Sequence, residues 1–478
     1  MEIVQTLRPD VQIVQNNPLC IKASDWNLNL KHFDHSHNHT KYLLRFMDHP
    51  LAVERYALQS CSTNELVGLI KRHLVDQKPV SDEFVKFSRA LYKSVWNELG
   101  RPIFTPLTFD ELYSKKSTHV KKRFRTHRVK IEEHDVRKSD AFVRAFVKFE
   151  RYDATDELKP PRMIQFRPPH FTARLSKFYT PIEDAMWAFK PKSNFGLRPF
   201  AKSRSMKQRA KDLFKMKLWP KTSFLLLDHS KYDSRITAMH LKLNHRFSQL
   251  FYVGEDRNLL AKLQAMTVNN RGRTMSGIEY FCKGRRMSGD ADTGKGNSEI
   301  NYTIIQFCLR DIPHAVYIDG DDSVISFPTE YCEHLKKVLD SRLAQTGMVS
   351  TYSIVHKFSD VEFCQSKPIF TNGSWMLARN PIRAISNLCY TLKPVATKNY
   401  ITTIGVGEMH ACSGVPLLYD VAKQMSEVGG QFDYNYLEYR HRVDWSVQPK
   451  PPNQEAYATM WLAWDLPPSS CVRAVVLQ

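Results

Sequence analysis

Ala315-Val-Tyr-Ile-Asp-Gly-Asp-Asp-Ser-Val-Ile-Ser-Phe327 is the stretch on which the fold turns. Two short apolar runs flank Asp319-Gly320-Asp321-Asp322, and Asp-Gly between apolar runs reads as a tight β-hairpin whose glycine takes a positive φ. Asp and Gly are ordinary turn residues, so Gly-Asp-Asp read alone favours a simple turn, and only the order and spacing of the other segments shift that reading. Three carboxylates at one tip nonetheless repel, which raises their pKa values unless a cation neutralises them. Upstream, Phe224-Leu-Leu-Leu-Asp228 reads as a buried strand ending in an acid. Asp233 and a helix-like stretch, Ile236 to Leu250, come next. A strand that delivers a carboxylate at its C-terminal end is a common way to present a ligand or catalytic acid. Two such acid sites brought together would suit a pair of Mg²⁺ ions roughly 3.5–4 Å apart, activating a hydroxyl and stabilising a phosphoryl group in transfer.

Between the acids lies Met287-Ser-Gly-Asp-Ala-Asp-Thr-Gly-Lys-Gly-Asn297, a glycine-rich loop leading into a helix from Ser298 to Leu309. Such a loop approaches a sugar-phosphate backbone closely. Upstream, Lys159-Pro-Pro-Arg-Met-Ile-Gln-Phe-Arg-Pro-Pro-His170 reads as a stiffened loop or edge strand, because proline removes donors and fixes φ. Two basic stretches stand out, Lys121 to Lys130 and Arg198 to Lys221. The second has Asp212 as its only acid and is interleaved with Phe200, Phe214 and Trp219, which favours a phosphate-contacting surface over a plain solvated face. Ser81 caps a helix over 81–99 whose stripe of Phe84, Phe87, Leu91, Val95 and Leu99 reads as core.

The chain has 478 residues, too many for one ordinary core, and 42% of them are hydrophobic, which excludes wholesale disorder. Lys and Arg number 69 against 49 Asp and Glu, a net charge of +20, so a polyanion is the expected partner: nucleic acid first, an anionic membrane surface second. Nine cysteines without Cys-x-x-Cys spacing argue against a zinc ribbon or disulfide framework and for a reducing compartment. His32, His35, His37 and His39 crowd together, but without Cys or acidic ligands at matching spacing they read as a segment that binds no ion. No uncharged apolar run reaches the length of a membrane span, and Glu2 argues against a secretory leader, so membrane work would need a partner or surface charge.

Taken together, these segments resemble the palm motifs of viral RNA-dependent RNA polymerases, most nearly those of tombusvirus-like positive-strand RNA viruses. Asp228-x4-Asp233 looks like the first motif, Ser288-Gly289-Asp290-x2-Thr293-x3-Asn297 the second and Gly320-Asp321-Asp322 the third. Val361-Glu-Phe-Cys-Gln-Ser-Lys-Pro-Ile369 looks like the strand that cradles a primer end. Lys148-Phe-Glu with Lys159 to Arg167 looks like the basic finger motif. Ala291-Asp292 and Gly294-Lys295 depart from the residues common in that group.

The resemblance implies an α+β fold of right-hand polymerase architecture, with an antiparallel palm sheet flanked by helices. Residues 1–220 would form an N-terminal region and fingers, 221–365 the palm with a finger insertion near 245–285, and 366–478 the thumb and tail. Asp228, Asp321 and Asp322 would be catalytic and hold two Mg²⁺ ions, with Mn²⁺ able to substitute. Asp233, Ser288, Thr293 and Asn297 would read the ribose, and Lys148, Lys159, Arg162 and Arg167 would neutralise the incoming triphosphate. Lys202, Arg204, Lys207 and Arg209 would contact RNA. Partners would be an RNA template and product duplex, ribonucleoside triphosphates, and a viral replication protein or membrane-bound complex in the host cytoplasm. A non-catalytic RNA-binding or coat-like protein would explain the charge but not the recurring carboxylates. A reverse transcriptase is disfavoured because it carries an aromatic ring where Asp233 stands.

Overall fold

The strand Thr222–His229 is apolar on both faces because it is covered on both. It lies third in a four-stranded antiparallel sheet, ordered Ala315–Asp319, Asp322–Pro328, Thr222–His229, Ser350–Val355. Side chains alternate across a strand. Leu225, Leu227, Val316, Ile318 and Ile325 accordingly enter one core, and Phe224, Ala315, Tyr317 and Val324 enter another. The first core is closed by helices Asp82–Glu98, Ala238–Gln249, Thr293–Cys308 and Cys332–Gln345. The second is closed by helix Met206–Lys215 and the hairpin Ser366–Thr371/Ser374–Arg379. The computed structural model describes residues 10–14, 19–30, 39–41, 43–132, 136–391, 395, 397–437, 445–467, 469 and 476–477.

Helix Asp82–Glu98 matches its sequence reading: the Ser81 side chain accepts from the Phe84 amide, and Gly100 takes φ +85° just past the end. Phe84 and Val95 are buried; Phe87, Leu91 and Leu99 pack half-buried against the same core. Phe84 and Phe87 both meet Phe307 edge-on, which ties this helix to Thr293–Cys308.

A second sheet has seven strands, ordered Gln12–Val14, Leu19–Lys22, Trp26–Leu30, Glu279–Lys283, Asn269–Thr274, Val143–Val147, Met163–Phe166. Every pairing is antiparallel except Asn269–Thr274 against Val143–Val147. Residues 269–283 thus leave the central sheet and join strands from the N-terminal third. The proline-rich stretch forms an edge strand, Met163–Phe166, and passes directly into helix Pro169–Ala188 with proline in its first turn, where a missing N–H costs nothing.

C-terminal helices Pro381–Leu388, Thr397–Ala411, Leu418–Ser426 and Gln454–Trp464 enclose a separate core that also takes Phe46 and Met47. The N-terminal segment is paired into this lobe twice, Leu44–Arg45 with Tyr390–Thr391 and Met47–Asp48 with Val476–Leu477. The sequence left the attachment of the first hundred residues open; the structure joins them to both lobes. No helix among the described residues is long and apolar enough to cross a membrane. His32, His35 and His37 lie outside the described residues; His39 sits 3.3 Å from the Cys61 thiol.

Two expectations need correction. The helix read as starting at Ser298 starts at Thr293, so the end of the glycine-rich loop is its first turn. The glycines there serve close packing: a Cβ on Gly289 would lie 2.7 Å from the Gln165 carbonyl oxygen, and one on Gly296 would strike the Arg286 guanidinium. Arg167, expected beside a triphosphate, is fully buried beneath that loop. It donates to Asp290 from Nε at 2.6 Å, to Asn270 from Nη2 at 2.6 Å, and to the Ala141 carbonyl. Its donors are consumed in joining the loop to the seven-stranded sheet. Removing one partner of such a buried pair strands the other charge. Arg167→Met is therefore expected to cost about 3–5 kcal/mol in chemical denaturation. Lys159→Ala, on an exposed side chain, should stay within about 0.5 kcal/mol of the parent.

Candidate active site

The hairpin pairs Asp319 with Asp322, leaving Gly320-Asp321 as a two-residue turn with Gly320 at φ +72°. On the other side of the same strand Leu227 pairs with Ser323, so one further step of register brings Asp228 level with Asp322. The two acid sites, 93 positions apart in sequence, therefore end adjacent strands. Burial is the first cause that pushes the Asp321 carboxyl above its usual range, and the negative charge of Asp228 adds to it. Asp322 is pushed up to about 6 by its dense surroundings, although one face stays open to solvent, and then by Asp321, Asp319 and Asp228.

Asp319 is set apart by its partners. Arg209 Nη2 donates to one oxygen at 2.5 Å and Lys202 Nζ to the other at 3.2 Å. Among the described residues, no ion pair of this kind reaches Asp228, Asp321 or Asp322. They form a patch of uncompensated carboxylate oxygens, the donor type that Mg²⁺ and Mn²⁺ prefer. No three His, Cys, Asp or Glu groups among the described residues already converge as a complete ligand set. Mg²⁺ takes one or two carboxylates and fills its remaining positions with water and substrate phosphate.

Beside the acids, Asn297 Nδ2 donates to Asp233 Oδ1 at 2.7 Å, the contact the sequence suggested. Asp233 is pushed up to about 6, first by burial and further by Asp321, against the opposing effect of the Asn297 bond. The Ser288 hydroxyl accepts from the Gln165 amide at 3.0 Å, and the Thr293 hydroxyl donates to the Met287 carbonyl at 2.9 Å. Both shape the loop's main chain. Arg286 was missed by sequence reading. It is fully buried, donates from Nε to Asn297 Oδ1 at 3.2 Å, and pairs through Nη1 with Asp292 at 2.7 Å. The basic doublet Arg285-Arg286 beside a glycine-rich loop was the available sign, but nothing in its spacing tells a buried arginine from a surface one.

Asp292 and Lys295 both have buried partners of opposite sign. Asp292 answers Arg286, and buried Lys295 pairs with Glu299 at 2.8 Å, donates to Ser248 Oγ and lies over the Tyr179 ring.

The other cations are held more loosely. Lys148 and Arg162 both reach Glu150, at 2.5 and 3.1 Å. The positive charge of Arg162 opposes the upward shift of both Asp321 and Asp233. Lys159 rests on Asp156 at 2.7 Å. Arg204 is tied to Asp212 at 2.9 Å, Arg209 to Asp319, and Lys207 stands exposed on helix Met206–Lys215. Lys202 lies between Asp319 and Gly294, where a Cβ would sit 3.5 Å from its Nζ.

A family model described as viral RNA dependent RNA polymerase matches residues 59–474. The chain is 28% identical over 380 residues to an RNA-directed RNA polymerase of tobacco necrosis virus strain D, covering 71% of this chain and 50% of that protein. It is 26% identical over 303 residues to that of turnip crinkle virus, covering 60% and 38%. It is 24% identical over 415 residues to that of tobacco necrosis virus strain A, covering 82% and 56%. The chain thus spans about half or less of the length of most of these relatives. The match contains both acid sites, the glycine-rich loop between them and the basic stretch before them, in the order read from the sequence: the chain belongs to the viral RNA-dependent RNA polymerase family.

Proposed function

We propose that this chain synthesises RNA on an RNA template from ribonucleoside triphosphates, as the replicase of a positive-strand RNA virus. The observation that carries the reading is the set of three carboxylates, Asp228, Asp321 and Asp322, brought to the ends of adjacent strands with no ion pair to any of them among the described residues. In this reading the central sheet is the palm, the seven-stranded sheet with residues 269–283 belongs to the fingers, and residues 366–478 form the thumb. The host cytoplasm is the compartment, with membrane attachment through a viral replication partner.

The reaction is in-line attack of the RNA 3′-oxygen on the α-phosphorus; the new P–O bond forms as the bond to pyrophosphate breaks. Asp228 and Asp321, with Asp322 assisting, would hold two Mg²⁺ ions or Mn²⁺. Bound there, the cations would ease ionisation of the hydroxyl and offset charge on the transferring phosphoryl group. Arg162 meets the triphosphate, with Lys148 and Lys159 adding positive field. Asp233, its Oδ1 engaged by Asn297, keeps its other oxygen for the ribose 2′-hydroxyl. Lys202 and Lys207 offer exposed cations to the RNA backbone, while Arg204 and Arg209 brace that surface.

Primer extension on a defined RNA template tests the reading. Divalent-dependent incorporation of ribonucleotides is expected; deoxyribonucleotide preference would indicate a reverse transcriptase, and no synthesis with intact RNA binding a non-catalytic protein. Asp321→Ala should abolish synthesis and leave RNA affinity largely intact. Asp233→Ala should lower ribose-over-deoxyribose discrimination.

The acid limb of the rate profile carries a sign. Because Asp322 and Asp233 hold their protons up to about 6, the carboxylate forms are lost as pH falls through that value, and synthesis should fall with them. Divalent cations compete with those protons, so raising Mg²⁺ should move the limb to lower pH. A limb insensitive to Mg²⁺ would mean that the titrating group lies elsewhere.

A further inference from the structure

Behind the Gly320-Asp321 turn runs a hydrogen-bonded chain built from residues to which the motifs assign no role. Asn301 is fully buried on helix Thr293–Cys308, four residues after Asn297 and hence on the same helix face. Its Nδ2 donates to the carbonyls of both Gly320 and Asp321, each at 3.0 Å. Two backbone carbonyls demand the NH₂ end of the amide; the opposite orientation would set oxygen against oxygen. Asn301 Oδ1 therefore accepts, and it faces His229 Nε2 at 3.1 Å.

The imidazole tautomer follows. His229 carries its proton on Nε2, so Nδ1 accepts from Ser350 Oγ at 2.7 Å. The ring is buried and stacks on Tyr232, centroids 5.1 Å apart, whose hydroxyl donates to the Asn297 carbonyl at 2.9 Å. From the same helix, Ser298 Oγ accepts from the Gly320 amide at 2.9 Å and donates to the Gly294 carbonyl at 2.8 Å. The helix thus grips the turn at three backbone atoms. The side chain that orients the central grip belongs to the residue next to Asp228.

We propose that His229 and Asn301 are positioning residues that register the Asp321 turn against Asp228, through the chain Ser350–His229–Asn301–turn. The proposal rests on the assignment of Asp228 and Asp321 as a shared cation site. The turn itself has little to hold it: a Cβ on Gly320 would meet nothing within 4 Å, so the outer side of the hairpin tip is open. A clamp from behind is then what sets the separation of the two carboxylates. Partners of this kind, one step behind metal ligands, commonly govern metal affinity by 10–100-fold.

The test uses the full chain and reads Mn²⁺ binding by the EPR signal of the free ion, alongside steady-state synthesis and RNA affinity. His229→Leu keeps bulk but no donor, and is expected to weaken Mn²⁺ binding about tenfold or more. It should lower kcat with little change in the KM for nucleotide or in RNA affinity. His229→Gln can still present an N–H to Asn301 and should recover Mn²⁺ affinity to within about threefold. Asn301→Leu should match His229→Leu, and the double variant should be no worse than either, since both break one chain. Ser350→Ala, which frees Nδ1 without touching packing, should weaken Mn²⁺ binding measurably; it carries the test if the leucine variants do not fold. Parent-like Mn²⁺ binding in Ser350→Ala and in folded leucine variants would overturn the proposal, as would a glutamine variant no better than leucine. If Asp321→Ala binds Mn²⁺ as the parent does, the cation site itself fails, and that outcome is distinct from a working site indifferent to the clamp.

Discussion

Like charges held at short range in partial burial are the constraint around which this molecule is organised. Asp228, Asp321 and Asp322 sit where two strands of one sheet end, and burial together with mutual repulsion raises the pKa of the latter two. Such an arrangement is unfavourable on its own. It persists because sheet register and the hydrogen bonds that the helix Thr293–Cys308 makes to the turn over-determine it. The fourth acid, Asp319, is neutralised from within by Arg209 and Lys202, so the hairpin divides its carboxylates into one braced and two available.

The helix Thr293–Cys308 is the mechanical support. On one side it carries Asn297 to Asp233 and Ser298 and Asn301 to the hairpin turn. Around its N-terminal half are three buried ion pairs, Arg167–Asp290, Arg286–Asp292 and, within the helix, Lys295–Glu299. Buried pairs contribute little net stability, since desolvation offsets their attraction, but they fix one arrangement against alternatives. Here they dictate how the glycine-rich loop enters the helix. Asp292 and Lys295 are each matched by an internal partner of opposite sign.

The N-terminal segment gives the fold its closure. Strands Gln12–Val14 to Trp26–Leu30 extend the sheet that also holds residues 269–283, while Phe46 and Met47 enter the C-terminal core. A single stretch of chain therefore ties the two lobes on either side of the central sheet.

Local chemistry made much of this legible in one dimension. The Asp-Gly hairpin, the acid-ended strand, the capped helix at 82–98 and the proline-stiffened edge strand each follow from short-range rules of turn geometry, side-chain alternation and capping. The order of the acids and the glycine-rich loop was enough to point to the polymerase family. The fate of each cation was not legible. Arg162 stays exposed beside Glu150, whereas Arg167, five residues on, is buried under a loop more than a hundred positions away. Arg286, His229 and Asn301 likewise acquire meaning only when the strand Thr222–His229, the helix and the hairpin are brought together. A strand or turn is decided by neighbours in sequence; whether a charge meets solvent, a phosphate or a buried partner is decided by packing between distant segments, and only the tertiary structure supplies that.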